Sequence, residues 1–164
     1  MKVLAVDDDP IIMEMIEATF RRSRSPKISL TVMSSGTATL ELLATSDHQF
    51  DCILLDIQMP EMDGISLCSH IRALDGYRYT PVNMLTQRTE TASIERAFVA
   101  GATDYVTKPF DPNVLRSRLR VAKRMMESSS LAPRVSLSEM HGKGRSGRHD
   151  FAVEDPLHIE DVHQ

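Results

Sequence analysis

The chain has 164 residues, 41% of them apolar and 26% charged, with a net charge of −4, which suits one domain of ordinary size plus a tail. No apolar run approaches the ~20 residues that cross a bilayer, and Asp7 to Asp9 cut the apolar start too short for a signal peptide, so no membrane partner is expected and the cytoplasm is the expected compartment. The acidic balance and few aromatics argue against a nucleic-acid surface within the chain, and Cys52 and Cys68 are too few for a disulfide framework and lack metal spacing.

Residues 2 to 6 read as a first strand that runs straight into Asp7, Asp8 and Asp9. Asp9 suits the N-cap and Pro10 the first position of a helix carrying Ile12, Met13, Ile16 and Phe20 as core, closed by Arg21, Arg22 and Arg24 at its negative end. Ser25 and Pro26 break the chain before a second strand, Ile28 to Met33. Ser34-Ser35-Gly36 then turns into a helix with Leu40, Leu42 and Leu43, and Asp47, His48 and Gln49 form the next loop.

Ile53-Leu54-Leu55 is a short apolar run suited to a strand covered on both faces, with Cys52 packing beside it as a small apolar residue. Asp56 follows where that strand should surface, and Pro60 and Asp63-Gly64 mark the turn behind it. The third helix starts near Gly64 and puts Ile65, Leu67, Cys68, Ile71 and Leu74 on one apolar face, with Asp75-Gly76 as its stop. Tyr77 to Pro81 make a loop and Val82 to Leu85 a fourth strand, with Thr86 at its carboxyl end.

Thr89 or Glu90 opens a fourth helix with Ile94, Ala97, Phe98 and Ala100, ended by Gly101. Asp104 to Thr107 is a short fifth strand, with Lys108 before Pro109 at a bond that can be cis. Asp111 and Pro112 cap a last helix whose Val114, Leu115, Leu119 and Val121 are expected to face the sheet. Strands alternating with helices predict a parallel sheet covered on both faces.

In such a sheet, ligands bind at the carboxyl ends of the strands, and there the chain places Asp7, Asp8, Asp56, Thr86 and Lys108. Like charges about 4 Å apart repel by about 4 kcal/mol at an effective dielectric near 20, so three carboxylates need protons or a cation. Oxygen ligands without His or Cys favour Mg²⁺. A carboxylate can attack phosphorus, and a divalent ion with an ammonium would offset the charge on the transferring group.

The chain closely resembles the receiver domains of two-component response regulators over residues 1 to 127. The motifs are Val6-Asp7-Asp8-Asp9-Pro10, Leu55-Asp56-Ile57-Gln58-Met59-Pro60 with Met62-Asp63-Gly64, Leu85-Thr86, and Tyr105-Val106-Thr107-Lys108-Pro109-Phe110, in that order. The resemblance implies a flavodoxin-like α/β fold, a doubly wound five-stranded parallel sheet in strand order 2-1-3-4-5 with five helices. It implies that Asp56 accepts a phosphoryl group from a phosphohistidine on a sensor histidine kinase or a histidine phosphotransfer protein. Asp8 and Asp56 would bind Mg²⁺ through side chains, Gln58 through its backbone carbonyl and Asp7 through water. Thr86 would hydrogen-bond the phosphoryl oxygens, Lys108 would pair with them, and Tyr105 would be the switch aromatic that turns inward. The face of helix 4, strand 5 and helix 5 would then change most, and homodimers would form through it.

Two residues depart from the family's pattern: position 87, usually Ala or Gly, is Gln87, and Arg88 follows. Either is expected to shield the acyl phosphate from water. The competing reading is a Mg-dependent phosphatase with an aspartate nucleophile. Such sites want a second Asp two residues on, where Gln58 stands. Flavin binding on the same fold is disfavoured by the acidic loop after the first strand. The protein is therefore expected to be a phosphoacceptor switch with autophosphorylation and autodephosphorylation only, not an enzyme turning over a free substrate. Residues 128 to 164, rich in Ser, Gly, Arg and His, are expected to be a flexible tail or the start of a truncated output region, with histidines too scattered for a metal site.

Overall fold

The computed structural model describes residues 1–21, 28–45, 49–87 and 91–131. The features expected at Arg22, Arg24, Ser25, Pro26, Asp47, His48, Arg88, Thr89, Glu90 and from 132 onward lie outside those residues.

Five strands and five helices alternate as β1 (Lys2–Val6), α1 (Pro10–Arg21), β2 (Ser29–Met33), α2 (Gly36–Thr45), β3 (Cys52–Asp56), α3 (Gly64–Ala73), β4 (Val82–Gln87), α4 (Thr91–Val99), β5 (Asp104–Lys108) and α5 (Pro112–Leu131). The strands pair in parallel in the order β2-β1-β3-β4-β5. This is the flavodoxin-like arrangement expected. β3 is buried along its whole length, which is why its residues run apolar without alternation.

Two cores lie on the two faces of the sheet. On one, Leu4, Val6, Ile53, Leu55, Val82 and Met84 meet Leu43, Leu67, Cys68, Ile71 and Ala97 from α2, α3 and α4. On the other, Val3, Ala5, Cys52, Leu54, Leu85 and Val106 meet Ile16 of α1 and Leu115, Leu119 and Ala122 of α5. Burying each such Leu or Ile contributes about 1.5–3 kcal/mol.

The helix starts follow their side chains. The Asp9 carboxylate accepts from the Ile11 N–H at 2.8 Å, that of Asp63 from the Ser66 N–H at 2.6 Å, and that of Asp111 from the Asn113 N–H at 2.6 Å. The bond to Ser66 also holds the Asp63 carboxyl below the usual carboxylate range. The Lys108–Pro109 peptide is cis.

α5 corrects one expectation. Val114 and Val121 are 45% and 50% exposed and do not face the sheet. The buried stripe is Leu115, Leu119 and Ala122, at i, i+4 and i+7, and each valine sits one residue, about 100°, off it. The helix also continues past Glu127 to Leu131, since a helix already nucleated extends at little cost. α3 ends at Ala73, and Leu74 is its extended C-cap, packed against the core.

Candidate functional site

The register of the sheet assembles the site. Val6 pairs with Leu55, and Asp56 with Leu85, so the residues that end β1, β3 and β4 emerge at one level. Thr86 and Gln87 pair with Thr107 and Lys108 of β5. Residues separated by up to a hundred positions are thereby brought to one edge.

One carboxylate oxygen from each of Asp7, Asp8 and Asp56 lies within 4.8 Å of the others. Asp7 and Asp56 are 1% and 5% exposed, whereas Asp8 faces solvent. Lys108 reaches between the buried pair, its Nζ 2.7 Å from Asp7 Oδ2 and 2.7 Å from Asp56 Oδ1. The ammonium is thus part of the answer to the charge problem that the sequence posed. Asp7 Oδ2 has this charge contact but no well-aligned hydrogen bond, while its Oδ1 accepts from the Asp9 N–H at 3.0 Å.

The electrostatics follow from that enclosure. Burial pushes the Asp56 carboxyl up to about 6; the Lys108 hydrogen bond opposes this and the charge of Asp7 adds to it. Burial also works against the Lys108 ammonium, but its bonds to Asp56 and Asp7 outweigh it and hold its pKa above the usual lysine value. An under-bonded, oxygen-only set of this kind fits a hard divalent cation. A cleft of about 340 Å³, lined by Asp7, Asp8, Met13 and Glu14 among others, opens beside it on the α1 side.

The other expected site residues stand on β4, on β5 or in the loop that leaves β3. Thr86 is 1% exposed, and its hydroxyl donates to the Gln87 carbonyl at 3.2 Å. Gln87 is exposed at the end of β4, and Gln58 is exposed in the loop that leaves β3. Tyr105 stands outward, 37% exposed, with its ring edge-on to Phe98 at 6.3 Å between centroids. Two supports escape sequence reasoning. Gly64 packs on the Asp56 backbone, and Arg72 braces α3 by donating to the carbonyls of Gly101 and Tyr77, each at 2.9 Å.

A family model described as the response regulator receiver domain matches residues 3–120. The transcriptional regulatory protein CseB of Streptomyces avermitilis is 38% identical over 128 residues, covering 78% of this chain and 51% of that protein. The DNA-binding response regulator MtrA of Mycolicibacterium smegmatis is 36% identical over 126 residues, covering 77% and 52%. The chain thus spans about half the length of these curated relatives. Among solved structures, the chemotaxis protein CheY4 of Vibrio cholerae is similar with a TM-score of 0.66 at 30% identity, covering 74% of this chain and 97% of that one. The receiver domain of the sensor histidine kinase PA1611 of Pseudomonas aeruginosa, solved with a magnesium ion coordinated in its active-site cleft, is similar with a TM-score of 0.65 at 28% identity, covering 77% and 97%.

Proposed function

The chain belongs to the response regulator receiver family of two-component systems, and from that premise we propose that Asp56 takes a phosphoryl group from a phosphohistidine on a sensor kinase or a phosphotransfer protein. The observation that carries this reading is Lys108 Nζ at 2.7 Å from both Asp7 and Asp56 inside a group of three carboxylates.

Asp56 Oδ1 is held by Lys108, so the attack on phosphorus falls to Oδ2. A bond forms between that oxygen and phosphorus while the phosphorus–nitrogen bond of the donor breaks, and the imidazole leaves with the electron pair and takes up a proton. Lys108 stays beside the group and pairs with a phosphoryl oxygen. Thr86, whose hydroxyl rests on the Gln87 carbonyl, turns to donate to another. Asp7, Asp8 and Asp56, with the backbone carbonyl of Gln58, are the oxygens that would hold Mg²⁺, which when bound supplies positive charge against the phosphoryl oxygens.

The new group adds a charge of about −1.5 to −2 beside Asp56, and a population shift follows if one arrangement binds it better. Tyr105 of β5 stands outward beside Phe98, and α4 and α5 leave Val99 and Val121 exposed, so this face has room to repack. Homodimerisation through α4, β5 and α5 belongs to the same proposal. So does a receiver whose boundary, expected at residue 127, falls instead at the end of α5 at Leu131, with the residues beyond as a tail or the beginning of an output region. Two of the relatives are named as a transcriptional and a DNA-binding regulator, which makes a DNA-directed output the natural extension in a longer protein.

The test is incubation with Mg²⁺ and a small phosphodonor, followed by intact mass. A gain of one phosphoryl group, absent in Asp56→Asn, supports the switch, and continuous release of phosphate with turnover supports the phosphatase instead.

A further inference from the structure

β4 carries a polar side chain where its neighbours are apolar. Asn83 is 2% exposed, between Val82 and Met84 in sequence and on the same side of the strand as Leu85, which faces α5. Its Nδ2 has no partner among the described residues. A buried amide left unmet is costly, so a second arrangement that satisfies it would be favoured by that much.

The register supplies the acceptor. Asn83 pairs with Asp104 of β5, and Asp104 shares its face with Val106, which also packs under α5. Adjacent strands are about 4.8 Å apart, so the two side chains are neighbours. Asp104 is engaged elsewhere: its Oδ1 accepts from the Tyr105 N–H at 2.8 Å, and its Oδ2 is 3.0 Å from Arg118 of α5. The carboxylate is only partly enclosed, at 24% exposure.

We propose that Asn83 and Arg118 compete for the Asp104 carboxylate, giving the β5–α5 edge two hydrogen-bonded states. In one, Arg118 is latched to β5. In the other, Asp104 satisfies Asn83, and the guanidinium is released between exposed Val114 and Val121 for a carboxylate on a partner. Asn83 lies on the strand that ends in Thr86, and Asp104 precedes Tyr105, so the exchange couples the end of β4 to the surface of α5. That last step rests on the proposed phosphorylation of Asp56; the competition itself does not.

A double-mutant cycle on the full chain, without divalent ions, tests the competition. Arg118→Ala should change the unfolding equilibrium constant less than about twofold in the parent, where Asn83 takes over the carboxylate. In Asn83→Leu the same substitution should cost about fivefold, the upper range of an exposed ion pair. Equal costs in both backgrounds overturn the proposal. A second measurement needs no change at residue 83: in Arg118→Ala the Asn83 side-chain amide signal should move downfield and exchange more slowly, and an unmoved signal overturns the exchange.

Beryllofluoride with Mg²⁺, a phosphoryl mimic, should move the parent's Asn83 signal in the same direction. If the mimic perturbs the Asp56 amide but leaves Asn83 unmoved, the coupling is overturned while the receiver reading stands. If it perturbs neither, the receiver reading itself has failed.

Discussion

Gly64 sits directly against the backbone of the residue proposed to carry the phosphoryl group: a Cβ built on it would lie 1.9 Å from the Asp56 carbonyl oxygen and 2.8 Å from the carbonyl carbon. The start of α3 thus fixes the end of β3, and the Gly64 N–H donates to the Ile57 carbonyl at 2.9 Å in the same contact. Gly64→Ala must displace backbone, so denaturant unfolding should show a loss of about 3 kcal/mol, and the remaining folded protein should be phosphorylated more slowly.

The Asp56 carboxyl gives a pH dependence of definite sign. Its pKa is raised from 3.8 to about 6 in the folded chain, mainly by burial, so the native state binds the proton more tightly than the unfolded one. The cost of ionising it is absent below pH 3.8 and fully present above 6. Without divalent ions, Asp56→Asn should therefore stabilise the fold by about 1 kcal/mol at pH 7.5, allowing for partial solvent screening and the lost bond to Lys108. The gain should fade as pH falls from 6 towards 4. A melting-temperature difference that is flat across this range would contradict the assignment.

Removing Lys108 leaves two buried carboxylates without their shared cation. Lys108→Ala should lose about 2–3 kcal/mol of stability in the absence of divalent ions. Added Mg²⁺ should raise the melting temperature of this variant more than that of the parent, because the ion and the ammonium answer the same charge. Equal responses in thermal unfolding would show that they do not.

How much of this was legible in the chain varies with the kind of feature. The strands and the converging acids can be read because each apolar run ends at Asp7, Asp56 or Thr86, and alternation of strand and helix then forces a parallel sheet. The facing of α5 cannot. Apolar residues at 114, 115, 119, 121 and 122 define two overlapping stripes, and only the sheet decides for Leu115, Leu119 and Ala122. The resting place of Lys108 was equally hidden, since β4 lies between β5 and the strands that end at Asp7 and Asp56, and only the strand order brings the three together. The same holds for Gly64, whose turn signature says nothing of what its missing side chain would strike, and for Asn83, whose lack of a partner depends on the neighbouring strand.

Arg72 ties the end of α3 to the loops before β4 and β5 through the Tyr77 and Gly101 carbonyls. Arg72→Ala should cost about 2–3 kcal/mol in denaturant unfolding, and Arg72→Lys should recover little of it, because an ammonium lacks the planar fork that reaches both carbonyls.

Both cysteines are buried thiols. Burial, with the nearby Asp51 charge, pushes Cys52 up to about 12, and burial raises Cys68 as well. A thiol reagent at pH 8 should label neither in the native protein within minutes and both on unfolding. Rapid native labelling of Cys52 would contradict its place in β3.

The central claim concerns which residue captures phosphorus, and borohydride reduction after phosphorylation reads it directly, because an aspartyl phosphate is converted to homoserine at its own position. Peptide mass mapping is predicted to find homoserine at residue 56 alone, dependent on Mg²⁺ and lost in Lys108→Ala. Homoserine at residue 7 or 8, or none in a chain that has gained a phosphoryl group, would contradict the account.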